Sequence, residues 1–254
     1  LTDYFNEAGE KIEGWELDKT DRDIQLINFA QNAADDYMEI YNRKKKVTTP
    51  LGNIHLVKAG NIFKMTKGEV ESGFISIKDG NILIDRAERD TDFSLRVFHE
   101  LIHAKSFNAM QVTKENTKGE SKTKEFRVGF SLTSRDGKMT YFDDVNEAVV
   151  GFLTKRFLEE YVEKSDIFKD ELKEMKEKNI PIDLSRKREV RLGLEYIDKL
   201  YELNKDKYSL EEITNIFINA GINGNLLKVA RMVEEAFGKG SFRQLGEQTR
   251  KIEK

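Results

Sequence analysis

Two periodicities divide the chain. Between residue 20 and about residue 45, Ile24, Ile27, Ala30, Ala34, Tyr37 and Tyr41 recur every three or four positions, which predicts a helix that buries one face. Thr20 and Asp23 are spaced to cap its start. Arg43-Lys44-Lys45-Lys46 places cations at its far end, where they complement the helix dipole. From about 53 to 86 the pattern changes to short apolar runs: Ile54-His55-Leu56-Val57, Ile62-Phe63-Lys64-Met65, Phe74-Ile75-Ser76-Ile77 and Ile82-Leu83-Ile84. Gly60-Asn61, Lys67-Gly68 and Asp79-Gly80-Asn81 separate them as turns, so the region reads as a small twisted sheet, antiparallel at least in part. Residues 1–18 are polar and read as a tail, pinned to the body by the lone tryptophan, Trp15.

Helical spacing returns over about 91–108. Residues 111–124 are polar and read as a flexible loop. Phe126, Val128, Phe130 and Leu132 then alternate with small or polar residues, and Met139-Thr140-Tyr141-Phe142 follows the turn signal Arg135-Asp136-Gly137-Lys138, which predicts a hairpin. A second apolar helix is expected over 145–162. Past Ser165 lysine and glutamate dominate as far as Pro181, as on a solvated helix. Three more helices follow: one near 186–204, one opened by the capping pair Ser209/Glu212 and closed at Gly221, and one over about 225–238. A short segment from Ser241 completes the chain. The mixture predicts an α+β protein with a tail (1–18), a core (19–165) and a helical C-terminal lobe (166–254).

Composition narrows the function classes. At 254 residues, 38% hydrophobic and 35% charged, the chain has room for one large domain, or a domain with a helical extension. A net charge of −3 implies no polyelectrolyte partner, so the basic stretches read as solvated faces and no nucleic-acid role is expected. No apolar run is long enough to span a membrane, and no signal-peptide core is present. Without cysteine, disulfides and thiol catalysis are excluded, which fits a cytoplasmic or a secreted protein. The sequence begins at Leu1, as a fragment or processed product would.

The candidate chemistry sits in the helix near 91–108. His99-Glu100-Leu101-Ile102-His103 is an H-E-x-x-H motif and uses two of only three histidines in the chain. On a helix, residues four apart project from one side, so two imidazoles can hold one metal ion while Glu100 acts on a water held there. Leu95, Phe98, Leu101 and Ile102 surround the polar trio, as in a helix buried in a core. The motif predicts the zinc-binding helix of a metallopeptidase. Zinc then needs a third protein ligand. A metzincin would place Gly at 106 and His at 109, where this chain has Ser106 and Ala109; a peptide deformylase would use a cysteine, which is absent. His55 and the downstream carboxylates remain.

Asp143-Asp144-Val145-Asn146-Glu147-Ala148 contains an N-E-A segment that resembles that of the gluzincins, the thermolysin-like metallopeptidase clan, and its distance from the first motif suits the compact bacterial members, toxin-type catalytic domains included. The resemblance covers the two motifs and their order. It implies a zincin-like fold, with a small, mostly antiparallel sheet over the H-E-x-x-H helix and a helical lobe below the metal. It also implies Zn²⁺ held by His99, His103 and Glu147, Glu100 as general base, and a peptide or protein substrate. By the same resemblance Tyr141 is the candidate that faces the developing oxyanion, with Tyr161 and Tyr196 as weaker ones, and the 126–142 hairpin is the edge that takes extended substrate. Two features pull the other way. Asp144 and Glu147 have the spacing of a capping box. Thermolysin-like enzymes carry an aspartate four residues after the ligand glutamate, where this chain has Gly151, so the partner of His99 must come from elsewhere. Gly151 also leaves open a catalytically silent binding or regulatory protein on the same fold.

Overall fold

The computed structural model describes residues 15–41, 47–67, 72–114, 121–184 and 187–247. Within them the protein is α+β, with two four-stranded sheets. The chain forms two units, each discontinuous in sequence. Unit 1 takes Leu1–Ile40, Lys44–Lys105 and Leu153–Ser185; unit 2 takes Tyr41–Arg43, Ser106–Phe152 and Arg186–Lys254.

In unit 1, strand β1 (Glu16–Leu17) precedes helix α1 (Asp21–Ile40). The α1 stripe is as the spacing predicts: Ile27, Ala30, Ala34 and Tyr37 are buried. Thr20 caps it, its backbone N–H and hydroxyl both donating to Asp23. The helix stops at Ile40, and the basic run at 43–46 lies outside the described residues, as does 1–14 of the expected tail. Trp15 does no pinning, at 42% exposed; β1 is held instead by antiparallel pairing with β2 (Ile54–Lys58).

The sheet runs β1-β2-β4-β3, with β3 (Gly73–Ser76) at one edge and β4 (Asn81–Arg86) inside. It is mixed: β2 and β4 are parallel, while β3 and β4 are antiparallel. The run Ile62–Met65 is not the strand its apolar character suggested. It belongs to a short helix, α2 (Asn61–Met65). Gly60 turns the chain at φ 80°, and the Asp85 carboxylate, on β4, accepts from the N–H groups of Gly60 and Ile62. That cap comes from 23 residues away in sequence and overrides the local β preference. Ile62 then packs with Val57, Phe74 and Leu83 on one sheet face.

On β4 the side chains alternate, so Ile82 and Ile84 lie on the face opposite Leu83. Helix α3 (Asp90–Lys105) packs against β3 and β4 and against α1. It is buried along nearly its whole length; Phe93, Val97, Phe98 and Leu101 have no exposed surface. Its ends are fixed by charge. The Glu171 carboxylate, on helix α5 (Lys169–Glu177), accepts from the Asp90 and Thr91 N–H groups at the positive end of the dipole. At the other end Lys105, 1% exposed, donates to Asp35 and to the Val47 carbonyl, both at 2.7 Å.

An acidic network holds the α1 start. Burial pushes the Asp23 carboxyl up, but bonds from Thr20 and the Arg86 guanidinium outweigh it and hold Asp23 below its ordinary 3.8. A depressed carboxylate contributes stability that is present above the unfolded value and lost as pH falls through the folded one. Chemical denaturation should therefore show Asp23→Asn less stable than the parent at neutral pH. The gap should close as pH drops below 3.8, and a gap that stayed constant would contradict the linkage.

In unit 2, β5 (Asn108–Lys114), β6 (Ser121–Val128), β7 (Ser131–Thr133) and β8 (Thr140–Tyr141) form an antiparallel sheet in chain order. Of the polar stretch read as a loop over 111–124, residues 115–120 lie outside the described residues, and 111–114 and 121–124 are instead β-ribbon, β5 against β6. Its pairing uses backbone groups, and Val112 at 65% exposed shows why no apolar alternation announced it. The expected continuous strand through Leu132 breaks at Gly129, φ 55°. Phe130, fully buried, turns inward against Phe217, and its N–H donates to Asn146 Oδ1 at 2.9 Å.

Helix α4 (Asp143–Phe157) follows, and a π-helical turn, Leu158–Val162, extends it. Helices α6 (Lys187–Asn204), α7 (Leu210–Asn223), α8 (Leu227–Phe237) and α9 (Ser241–Glu247) complete unit 2. The Ser209/Glu212 capping box forms as its spacing predicts. Helix α7 passes Gly221, though, and ends with Gly224 in the left-handed conformation at φ 79°.

Candidate metal centre

Helix α3 presents His99 and His103 one turn apart. Their Nε2 atoms lie 3.1 Å from each other, with ring centroids 4.8 Å apart and planes at 72°. Two imidazoles on a tetrahedral zinc, at about 2.0–2.1 Å each, would hold their nitrogens roughly 3.3 Å apart, so the pair already has ligand spacing. His99 is 4% exposed and His103 7%. Glu100 is buried too, with its carboxylate against β3. A Cβ added to Gly73 would sit 3.0 Å from Glu100 Oε1 and 3.2 Å from its Cγ, so glycine at 73 makes room for this side chain. Gly73 is on the edge strand, so within unit 1 the strand edge beside Glu100 is that of β3. The β7–β8 hairpin lies in unit 2.

Glu147 is on α4. One ligand atom from each of His99, His103 and Glu147 lies within 4.8 Å of the others, and among the described residues no other group of three such side chains converges in this way. Helix α4 is continuous from Asp143 to Phe157, and its segment from Leu153 onward belongs to unit 1. There Phe157 stacks on Phe98 with centroids 4.2 Å apart and planes within 6°, and Thr154 Oγ1 lies 3.4 Å from His99 Nδ1. Glu147 is two turns earlier on the Thr154 face.

The capping alternative for Glu147 does not hold. The Phe142 carbonyl accepts the first intrahelical bond, from Asn146, so Phe142 is the N-cap and Glu147 lies beyond the third helical position. Asn146, the residue before it, is 4% exposed and secures this first turn through Phe130. Gly151 has a packing reason: a Cβ there would come within 2.2 Å of Val190 Cγ2 on α6, so no aspartate fits.

The partner of His99 that the sequence left open is Thr154, 1% exposed. No local sequence signal marked Thr154, since its burial is a property of the fold. His55 sits on β2 with Nδ1 2.8 Å from Glu16 Oε1. Tyr141 is on β8 in unit 2, partly buried and paired with Leu132. Tyr161 donates to Asp36 at 3.0 Å, and burial pushes its phenol up to about 12.

No family model, curated protein or solved structure matches the chain. No described helix is long and apolar enough to cross a membrane.

Proposed function

We propose that this protein is a gluzincin-type zinc metallopeptidase of zincin-like fold, acting as an endopeptidase on peptide or protein substrates. The observation that carries the proposal is the convergence of His99, His103 and Glu147 beside a buried Glu100. Two imidazoles and a carboxylate are a catalytic zinc set, three protein donors with a position left for solvent or substrate. When bound there, zinc supplies a Lewis acid that acidifies water and polarises a carbonyl.

The chain's own groups do the rest. Thr154 orients the His99 ring, so that Nε2 faces the ligand position. Glu100 takes a proton from the attacking water and returns it to the leaving amine. Tyr141 donates to the carbonyl oxygen as it gains charge. An extended peptide lying along the β3 edge would be bound through backbone groups next to Glu100. The Gly151 departure, which opened the reading of a silent member, follows from the approach of Val190.

Incubation with a diverse peptide mixture, read by mass spectrometry, tests the proposal. New internal termini should appear, and a chelator should suppress them. Identical products with and without chelator, or none at all from zinc-loaded protein, would reject it. Thr154→Val should weaken zinc binding by about 10–100-fold while leaving the fold intact. Competition against a chromophoric chelator measures this, and unchanged affinity would remove Thr154 from the site.

A further inference from the structure

Unit 2 contains a cavity of about 480 Å³, walled by α4, α6, α8 and α9 with Phe217 of α7. That volume is in the range of small-molecule sites. Phe152, Tyr196, Phe217 and Phe237 supply apolar and aromatic surface, with Tyr196 and Phe237 ring centroids 5.5 Å apart. Burial pushes the Tyr196 phenol up to about 12. None of the H-E-x-x-H chemistry uses this space.

One lining group is out of place in such a wall. Glu189 is 8% exposed, lines the cavity, and makes no hydrogen bond or ion pair with any described residue. The Glu189 carboxylate oxygens keep some solvent exposure, so the unpaired charge is open to a cation entering from solvent. Nearby Glu195 is turned to Arg191 at 3.8 Å, on the exposed side of α6. Asp144, Glu189 and Glu195 outnumber Lys199 among the charged lining residues, so the cavity favours a cation. Aromatic faces around a carboxylate add cation–π attraction for the same charge.

We propose that this cavity binds a small organic cation, an ammonium or guanidinium on an apolar body, with the charge at Glu189 and the body among the aromatic rings. Anionic and neutral analogues of the same shape are discriminated against.

Titration calorimetry with phenethylammonium and with 2-phenylethanol on the whole chain tests this, with protein-observed NMR locating the ligand. The ammonium should bind at least about tenfold more tightly than the alcohol, as one charge-assisted bond implies, and should perturb Tyr196 and Phe237 signals. Glu189→Gln should abolish that preference while leaving alcohol binding unchanged. Equal affinities, no binding of either probe, perturbation elsewhere, or a preference that survives in Glu189→Gln would overturn the proposal. If the variant fails to fold, the comparison on the parent protein decides alone. Because the readout is binding in unit 2, it is independent of the metallopeptidase assignment.

Discussion

Glu100→Gln is expected to retain zinc at full stoichiometry and to lose peptide cleavage by about 10²–10⁴-fold, the range that a positioned general base contributes. The substitution keeps the side chain's size, which matters because Glu100 sits against Gly73 and tolerates little expansion: the hypothetical Cβ is already 3.0 Å from Oε1. It removes the one property the mechanism needs, a carboxylate able to accept a proton. Metal content by atomic absorption and turnover on a peptide found in the mixture screen are to be measured on the same sample. Near-parental turnover in fully loaded Glu100→Gln would take this residue out of the chemistry. Loss of both metal and activity would instead make Glu100 part of what holds the site together.

Glu147→Gln is expected to lose zinc. Binding free energies of about 10–16 kcal/mol for structural zinc, spread over its ligands, put the removal of one carboxylate at roughly 3 kcal/mol, about two orders of magnitude in affinity. That loss should equal or exceed the one for Thr154→Val, which touches only a ligand. Since Phe142 is the cap of α4, Glu147→Gln should leave the helix itself in place in the metal-free protein, as circular dichroism would show. Parental zinc affinity in this variant would end the gluzincin assignment, even if the histidine pair still bound metal.

Helix identity was legible wherever one face was apolar and the ends carried caps. The α1 stripe and its Thr20 cap, and the Ser209/Glu212 box of α7, are local signals written within a few residues. Legibility failed where a distant group intervened. Ile62–Met65 has strand-like composition, yet the Asp85 carboxylate caps it as a helix. The far part of the β5–β6 ribbon has no apolar alternation because it packs neither face on a core, as the exposure of Val112 shows. Thr154 reads as an ordinary helix residue, and only its contact with His99 assigns it work, as the bond to Phe130 does for the asparagine of the N-E-A segment.

Residue order alone dictates the geometry inside one turn of one helix. Spacing of four residues on a 3.6-residue period puts two imidazoles on the same side with Glu100 next to the first, and no tertiary contact is needed for that. Long-range folding supplies whatever must reach that turn from elsewhere: the nearby Glu147 carboxylate, the hydroxyl on His99, and the gap at Gly73 that admits Glu100. The reason is range. Side-chain direction along a helix is set by the covalent chain, whereas a contact between residues tens of positions apart is set by which surfaces the core buries against each other.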